Sequence, residues 1–176
     1  MTKKEVIERI LIYYKNDNPI VITSCGRTSR EAWEVADKLS MKIIPLTGSM
    51  GMAMSLSIGF AMANPFREVI VIMGDGEFLM GFNAVLHVPS EYINNLKHFV
   101  LVDNEYESTG GQTNAWFGDI GGMVWEVYDN VHDDLVLKES ERYNKKFLCL
   151  IPVETTKQKA SRIPDSELPK AVRRIK

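Results

Sequence analysis

Apolar residues recur along this chain at two spacings, three to four residues and short unbroken runs, and the two alternate from end to end. Thr2-Lys3-Lys4-Glu5 has the form of a capping box, and Val6, Ile7, Ile10, Leu11 and Tyr14 fall on one helical face behind it, so a helix is predicted up to the break at Asn16 to Pro19. Ile20-Val21-Ile22-Thr23 is a short run rich in β-branched residues and predicts a buried strand. Thr28-Ser29-Arg30-Glu31 reads as a second capping box, opening a helix to about Leu39, and Lys42 to Leu46 reads as a strand. From Gly48 to Asn64-Pro65 the chain is rich in Met, Ala, Ser and Gly and apolar almost all round, the pattern of a buried helix.

Glu68 to Met73, with its Val-Ile-Val-Ile core, is the clearest strand; a helix is predicted after the Gly74-Asp75-Gly76 turn, from about Leu79 to Val88, ended by Pro89. His98 to Val102 is the next strand. Residues 105 to 122 have no period and read as a long loop, with a faint helical period from Trp116 to Tyr128. Phe147 to Val153 reads as a last strand and Glu167 to Ile175 as a last helix, part of a basic C-terminal segment over about 165–176. Alternating strand and helix predicts an α/β fold, a three-layer arrangement with a mostly parallel central sheet and helices on both faces. Residues 1–176 read as one domain. In such sheets ligands bind outside the carboxyl ends of the strands.

Composition narrows the class. Hydrophobic residues make up 45% and charged residues 25%, and the net charge of -2 gives no footprint for nucleic acid. No apolar run is long and unbroken enough to span a membrane, and Met1 to Glu8 is too charged for a secretory segment. Cys25 and Cys149 stand far apart in apolar surroundings, with no CxxC or Cys/His cluster, which argues against a zinc site and fits a reducing cytoplasm. The histidines at 87, 98 and 132 sit in a helix, at a strand start and in a polar segment, and none is marked as an acid–base group.

Four predicted strand ends carry unusual chemistry. Gly74 and Gly76 allow a tight turn that presents the Asp75 carboxylate at the sheet edge. Asn104 follows the next strand, one β-α-β interval on, and offers an amide oxygen at the equivalent level. Two hard oxygen ligands at neighbouring strand ends suit Mg²⁺, whose shell a diphosphate and water would complete. Thr23 to Ser29 combines hydroxyls and a glycine at a helix start, which suits either phosphate binding or simple helix capping. Thr47-Gly48-Ser49-Met50-Gly51 is a glycine-flanked turn with one large apolar side chain, and close packing alone would also explain its glycines.

Gly74-Asp75-Gly76 followed by Asp103-Asn104 resembles the thiamine-diphosphate motif that begins with GDG and ends with NN, with Asp103 in place of the first Asn. Together with Gly26-Arg27-Thr28-Ser29-Arg30-Glu31, Gly48-Ser49-Met50-Gly51 and Ser108-Thr109-Gly110-Gly111-Gln112, it resembles the cofactor-binding part of phosphonopyruvate decarboxylases and of the sulfopyruvate decarboxylase beta subunit. The resemblance spans roughly Ile20 to Thr113 and implies thiamine diphosphate and Mg²⁺ as cofactors. It implies Asp75, Asn104 and the Tyr106 carbonyl as metal ligands, and Gly26, Thr28, Ser29, Ser49, Gly74 and Gly76 around the cofactor. The Gly48 carbonyl would accept from the aminopyrimidine, Met50 would wedge beneath the two rings, and the loop from Ser108 to Gln112 would close near substrate. Asn114 stands where the pattern has Pro, and His87-Val88-Pro89-Ser90-Glu91 interrupts the helix after the GDG turn.

In this family a Glu on the pyrimidine ring drives cofactor activation, and it belongs to a separate pyrimidine-binding domain. One domain's length leaves no place for it here, so the resemblance implies a separate partner subunit, a hetero-oligomer, and no catalytic residue assignable in this chain. The implied reaction is decarboxylation of a small 2-oxo acid, 3-phosphonopyruvate or 3-sulfopyruvate, to the aldehyde and CO₂. Another 2-oxo acid is the nearest alternative. A non-catalytic structural or regulatory subunit is a second, and a Mg²⁺-dependent phosphoryl-transfer domain a third, although the chain has no GxxxxGK[ST].

Overall fold

The computed structural model describes residues 1–87, 92–114, 147–154, 160–164 and 166. Its elements in chain order are α1 (Lys3–Tyr14), β1 (Ile20–Thr23), α2 (Gly26–Lys38), β2 (Ile43–Pro45), α3 (Ala53–Ala63), β3 (Val69–Gly74), α4 (Asp75–Gly81), α5 (Asn83–Leu86), β4 (Leu96–Val102), β5 (Glu105–Tyr106), β6 (Gln112–Thr113) and β7 (Phe147–Pro152). The helices expected over Trp116 to Tyr128 and about 165–176, Pro89, and the 115–122 part of the long loop lie outside the described residues.

The capping box of α1 forms as its sequence predicts: the Thr2 hydroxyl accepts from Glu5 N at 3.3 Å, and the Glu5 carboxylate accepts from Thr2 N at 2.8 Å. Such a cap stabilises a helix by about 0.5–2 kcal/mol. The second expected box does not form. Helix α2 starts at Gly26 with Cys25 as its N-cap and no side-chain cap bond, so Thr28 and Ser29 lie inside its first turn.

Among the described residues five parallel strands run in the order β2-β1-β3-β4-β7. Alternate residues of each strand enter opposite cores. Val21, Ile43, Ile70, Phe99 and Cys149 pack with α1 and α2, whereas Ile22, Ile44, Val71, Val100 and Leu150 pack with the α3 and α4 side. This is the three-layer arrangement with helices on both faces, and burying both faces explains why β3 is apolar throughout. The polar residues of β4 are satisfied: Lys97 pairs with Glu68, and His98 Nε2 lies 3.2 Å from Ser57 Oγ on α3.

Two local expectations need correction. Helix α3 is not buried all round; Ala53, Met54, Ser57, Ile58 and Ala61 face the sheet, whereas Gly59 and Met62 are exposed. Residues 105 to 113 are not a structureless loop, because β5 and β6 pair antiparallel around a 3₁₀ turn at Glu107–Thr109.

Candidate functional site

Leaving β1, the chain adds β2 on one side of it and then crosses to place β3 on the other. The direction of winding therefore reverses between β1 and β3, and at such a switch point the connections on either side diverge and leave a crevice at the carboxyl ends of the strands. A cavity of about 340 Å³ opens there. Its walls come from the end of β1 (Ser24, Cys25, Arg27, Thr28), the end of β3 (Gly74, Asp75, Gly76, Glu77), the turn before α3 (Met50), and the segment after β4 (Glu105 to Thr109), with Lys3 and Met80 completing it.

Asp75 is 2% exposed. Its Oδ1 accepts from Gly76 N at 2.7 Å and its Oδ2 from Asn104 N at 2.8 Å, so the two halves of the motif are joined directly. Burial, followed by the neighbouring charge of Asp103, raises the Asp75 pKa above that of an ordinary carboxyl against the pull of those two donors. Asn104 adopts the left-handed conformation, φ 59°, which Asn tolerates better than most residues, and its carbonyl accepts from Asn114 N at 2.6 Å to close the hairpin. Asn104 is exposed and does not line the cavity; Tyr106 does, with its ring against Gly76. A Cβ on Gly76 would stand 2.8 Å from Tyr106 Cε1 and 3.2 Å from Met50 Cε, so only glycine allows these side chains to close on the turn.

The other expected site residues divide. Thr28, Met50, Ser108 and Thr109 line the cavity together with Gly74, Asp75 and Gly76. Ser29 does not: it is wholly buried, with its hydroxyl 3.0 Å from Thr23 Oγ1 on β1. Gly26 lies beneath Ser108, whose Oγ would be 2.8 Å from a Cβ there. Gly48 and Ser49 are exposed beside Met50 in a turn where Gly48 and Gly51 have φ of 75° and 84°. Gly110, Gly111 and Gln112 form the exposed tip of the hairpin, which Gln112 Nε2 braces by donating to the Thr109 carbonyl at 2.9 Å.

Several site residues escape sequence reasoning. Glu77, whose place just past the GDG turn suits either orienting a metal-bound water or plain surface exposure, is 4% exposed, and its Oε1 accepts from Ala53 N at 3.0 Å, a role the sequence does not mark. It caps the start of α3 and so anchors the turn that carries Met50. Its Oε2 lies 3.8 Å from Cys25 Sγ, and burial, then this carboxylate, raises the Cys25 thiol. Lys3 reads as an ordinary first-turn residue, yet its Nζ reaches Asp103 and Glu107, both at 2.6 Å. Position immediately after the GDG turn is a usable signal for Glu77; nothing local marks Lys3.

Among the described residues no group of three or more His, Cys, Asp or Glu side chains could hold a metal ion, as a thiolate- or imidazole-bound metal would require. Mg²⁺ needs less from the protein: one or two carboxylates, amide or carbonyl oxygens, phosphates and water. The Asp75 carboxylate, crowded by Asp103, fits such a hard cation, which would relieve the local excess of negative charge. Asp103 Oδ1 is itself buried without a hydrogen-bond partner among the described residues. The residues present therefore fit the metal and the diphosphate that the sequence pattern implies.

Residues 24–127 match the family model for the thiamine pyrophosphate enzyme C-terminal TPP binding domain. The sulfopyruvate decarboxylase subunit beta of Methanothermobacter thermautotrophicus is 33% identical over 155 residues, 85% of this chain and 80% of that protein. The phosphonopyruvate decarboxylase of Streptomyces viridochromogenes is 34% identical over 111 residues, 63% of this chain but 27% of that longer protein. Among solved structures, a thiamine diphosphate-dependent 4-hydroxybenzoylformate decarboxylase from Rhodococcus jostii matches with TM-score 0.63 and 16% identity, over 89% of this chain and 33% of that one. A 2-oxoglutarate:ferredoxin oxidoreductase from Magnetococcus marinus has the same TM-score at 15% identity, over 85% of this chain and 60% of that one. These two likenesses concern the fold.

Proposed function

The chain belongs to the thiamine pyrophosphate enzymes through their C-terminal TPP-binding domain, and on that footing we propose that it is the diphosphate-binding subunit of a Mg²⁺-dependent 2-oxo acid decarboxylase. The substrate is a 3-carbon 2-oxo acid with a second anionic group, 3-sulfopyruvate before 3-phosphonopyruvate. The order follows from coverage: the chain spans 80% of a sulfopyruvate decarboxylase beta subunit but 27% of a phosphonopyruvate decarboxylase. Residues 1–176 act as one domain, and a separate pyrimidine-binding subunit completes the active site and supplies the activating Glu. The exposed apolar face of α3, with Met52, Gly59 and Met62, is part of that contact. The enzyme works in the cytoplasm; among the described residues no helix is long and apolar enough to cross a membrane.

The observation that carries this reading is that Thr28, Met50, Asp75 and Tyr106, from four separate segments, line one cavity at the switch point. Asp75, the Asn104 side chain and the Tyr106 carbonyl would hold Mg²⁺, and the Thr28 hydroxyl would donate to the diphosphate. The Gly48 carbonyl would accept a hydrogen bond from the aminopyrimidine, and Met50 would pack against the cofactor's rings. Bound thiamine diphosphate supplies the nucleophilic carbon and the electron sink that decarboxylation of a 2-oxo acid needs. This chain's residues contribute position and charge balance: Asp75 fixes the metal, Glu77 holds the Met50 turn through Ala53 N, and Ser108 and Thr109 cover the cavity beside it. Met50 and Met80 form the apolar part of the wall.

The test is CO₂ release from sulfopyruvate and phosphonopyruvate by the chain combined with its pyrimidine-binding subunit, with and without thiamine diphosphate and Mg²⁺. Turnover that needs both chains and both cofactors is expected. Absence of turnover on either acid, with the complex assembled and loaded, contradicts the substrate assignment.

A further inference from the structure

We propose that Lys3 is a positioning residue for the metal end of this site: it is the counter-ion that holds the buried Asp103 carboxylate, and with it the backbone of Asn104, in place. The proposal rests on the cofactor reading above and adds a residue that lies outside the span of the motif.

Lys3 is the first residue of α1, and two contacts bring that end of the helix to the carboxyl end of the sheet. Thr2 bridges Glu154, just beyond β7, and Glu154 N donates to the Met1 carbonyl at 2.9 Å. From there Lys3 Nζ reaches Asp103 Oδ2 and Glu107 Oε2, each at 2.6 Å, with the three side chains 7%, 0% and 11% exposed. Asp103 and Glu107 bracket Asn104 and Tyr106. One ammonium therefore straps both ends of the segment that carries two of the proposed metal ligands.

An Asn at position 103 would need no counter-ion. Asp103 brings a fully buried negative charge next to a second buried carboxylate, Asp75, and neither of its oxygens has a hydrogen-bond partner among the described residues beyond the Lys3 ion pair. A buried charge without a partner is strongly destabilising, far more than a buried amide. Burial alone would lower the Lys3 pKa, but hydrogen bonds and charge from Asp103 and Glu107 outweigh it and raise it, so the lysine is held as a cation. The two carboxylates depend on it unequally. Glu107 is also bound by Arg27 Nη1 at 3.1 Å, and Arg27 Nε in turn pairs with Glu31 at 2.7 Å. Loss of Lys3 leaves Glu107 paired and Asp103 without its ion pair. Asp103 then relaxes toward water and takes with it the backbone of Asn104, whose N–H binds Asp75 and whose left-handed conformation sets the direction of its amide.

Residues that orient metal ligands without touching the metal typically change metal affinity by about 10–100-fold. The test measures Mg²⁺-dependent thiamine diphosphate binding and thermal melting of the chain, alone and with the partner subunit. The variants are Lys3→Met, Asp103→Asn and the two combined. Lys3→Met should weaken Mg²⁺-dependent binding by about tenfold or more. Asp103→Asn sets the reference affinity for a site without this charge, and the double variant should return to within about threefold of Asp103→Asn in affinity and recover most of the melting temperature, because the amide needs no cation. A merely structural lysine would not be rescued this way. Wild-type affinity in Lys3→Met, or a double variant as weak as Lys3→Met, overturns the proposal while leaving the cofactor reading intact. Failure of the wild-type complex to bind the cofactor removes the cofactor reading and this proposal with it. If Lys3→Met does not fold, the double variant decides: folding and binding at the Asp103→Asn level supports the compensation, and failure to fold overturns it.

Discussion

Replacing Gly81 by alanine puts a methyl group 2.6 Å from the Gly51 carbonyl oxygen, with Met54 Cγ at 3.5 Å on another side. A comfortable C···O approach is about 3.3 Å or more, so helix α4 and the Met50 turn must separate by roughly 0.7 Å. The close obstacle is the Gly51 carbonyl, which is backbone, and no rotamer change relieves it. Overpacking of this kind costs about 1–3 kcal/mol, partly offset by the gain of up to about 1 kcal/mol from removing a helical glycine. Gly59 on the exposed face of α3 provides the control, since a Cβ there meets nothing within 4 Å and Gly59→Ala should simply collect the helix gain. In a protein of this size 1 kcal/mol moves the Tm by about 2–4 °C, so Gly81→Ala should melt roughly 2–12 °C below Gly59→Ala. Gly81→Ala should also weaken thiamine diphosphate binding by the isolated chain, because the turn that moves carries Gly48 and Met50, while Gly59→Ala should not. Thermal melts and titrations of the two variants side by side make the measurement. Equal shifts in Tm, or unchanged cofactor affinity in Gly81→Ala, would refute the argument that backbone contact between α4 and this turn holds Met50 in place.

Glu77→Ala removes the acceptor for Ala53 N and should cost about 1–3 kcal/mol, whereas Glu77→Gln keeps an acceptor and should cost less than half as much; urea titration of both variants checks the order. Burial pushes the Cys149 thiol up to about 12, so it should resist a thiol reagent in the native protein at pH 8 and react fully only after denaturation; fast labelling of two thiols in the native chain would contradict its placement. The same shift sets a pH dependence: above about 9 the unfolded thiol ionises while the folded one keeps its proton, so stability should fall as pH rises from 9 toward about 12, and Cys149→Ala should flatten that slope in urea midpoints taken across the range.

The sequence announces those parts of the fold whose cause is local. The β-branched runs at Ile20 to Thr23 and Val69 to Met73 are buried on both faces and could be little else than central parallel strands. Thr2 and Glu5 form the cap their spacing predicts. Thr28 and Glu31 have the same spacing and do not, because Gly26 starts α2 two residues earlier and places them in its first turn. The exposed face of α3 is invisible to periodicity, since Gly59 and Met62 are no more polar than the buried Ala61 and Met54. The hairpin from Glu105 to Thr113 depends on backbone bonds from Asn114 N to the Asn104 carbonyl and from Gly111 N to the Tyr106 carbonyl, which no composition signal marks. At the site, Asp75 and Gly76 were legible only in company: a lone Gly-Asp-Gly is usually just a turn, and it gains meaning from Asn104 and the two other unusual strand ends. Lys3 was not, because its partners lie 100 and 104 residues away and only the packing of α1 beside β7 brings them within reach.

Asp75 is the proposed grip of this chain on a metal–diphosphate pair. The most direct measurement is calorimetric titration of the chain with its partner subunit by thiamine diphosphate, with Mg²⁺ and with EDTA, for wild type and Asp75→Ala. Binding that requires Mg²⁺ and disappears in Asp75→Ala, with the complex still assembled, is the predicted result. Binding that is indifferent to both the metal and the substitution would contradict it.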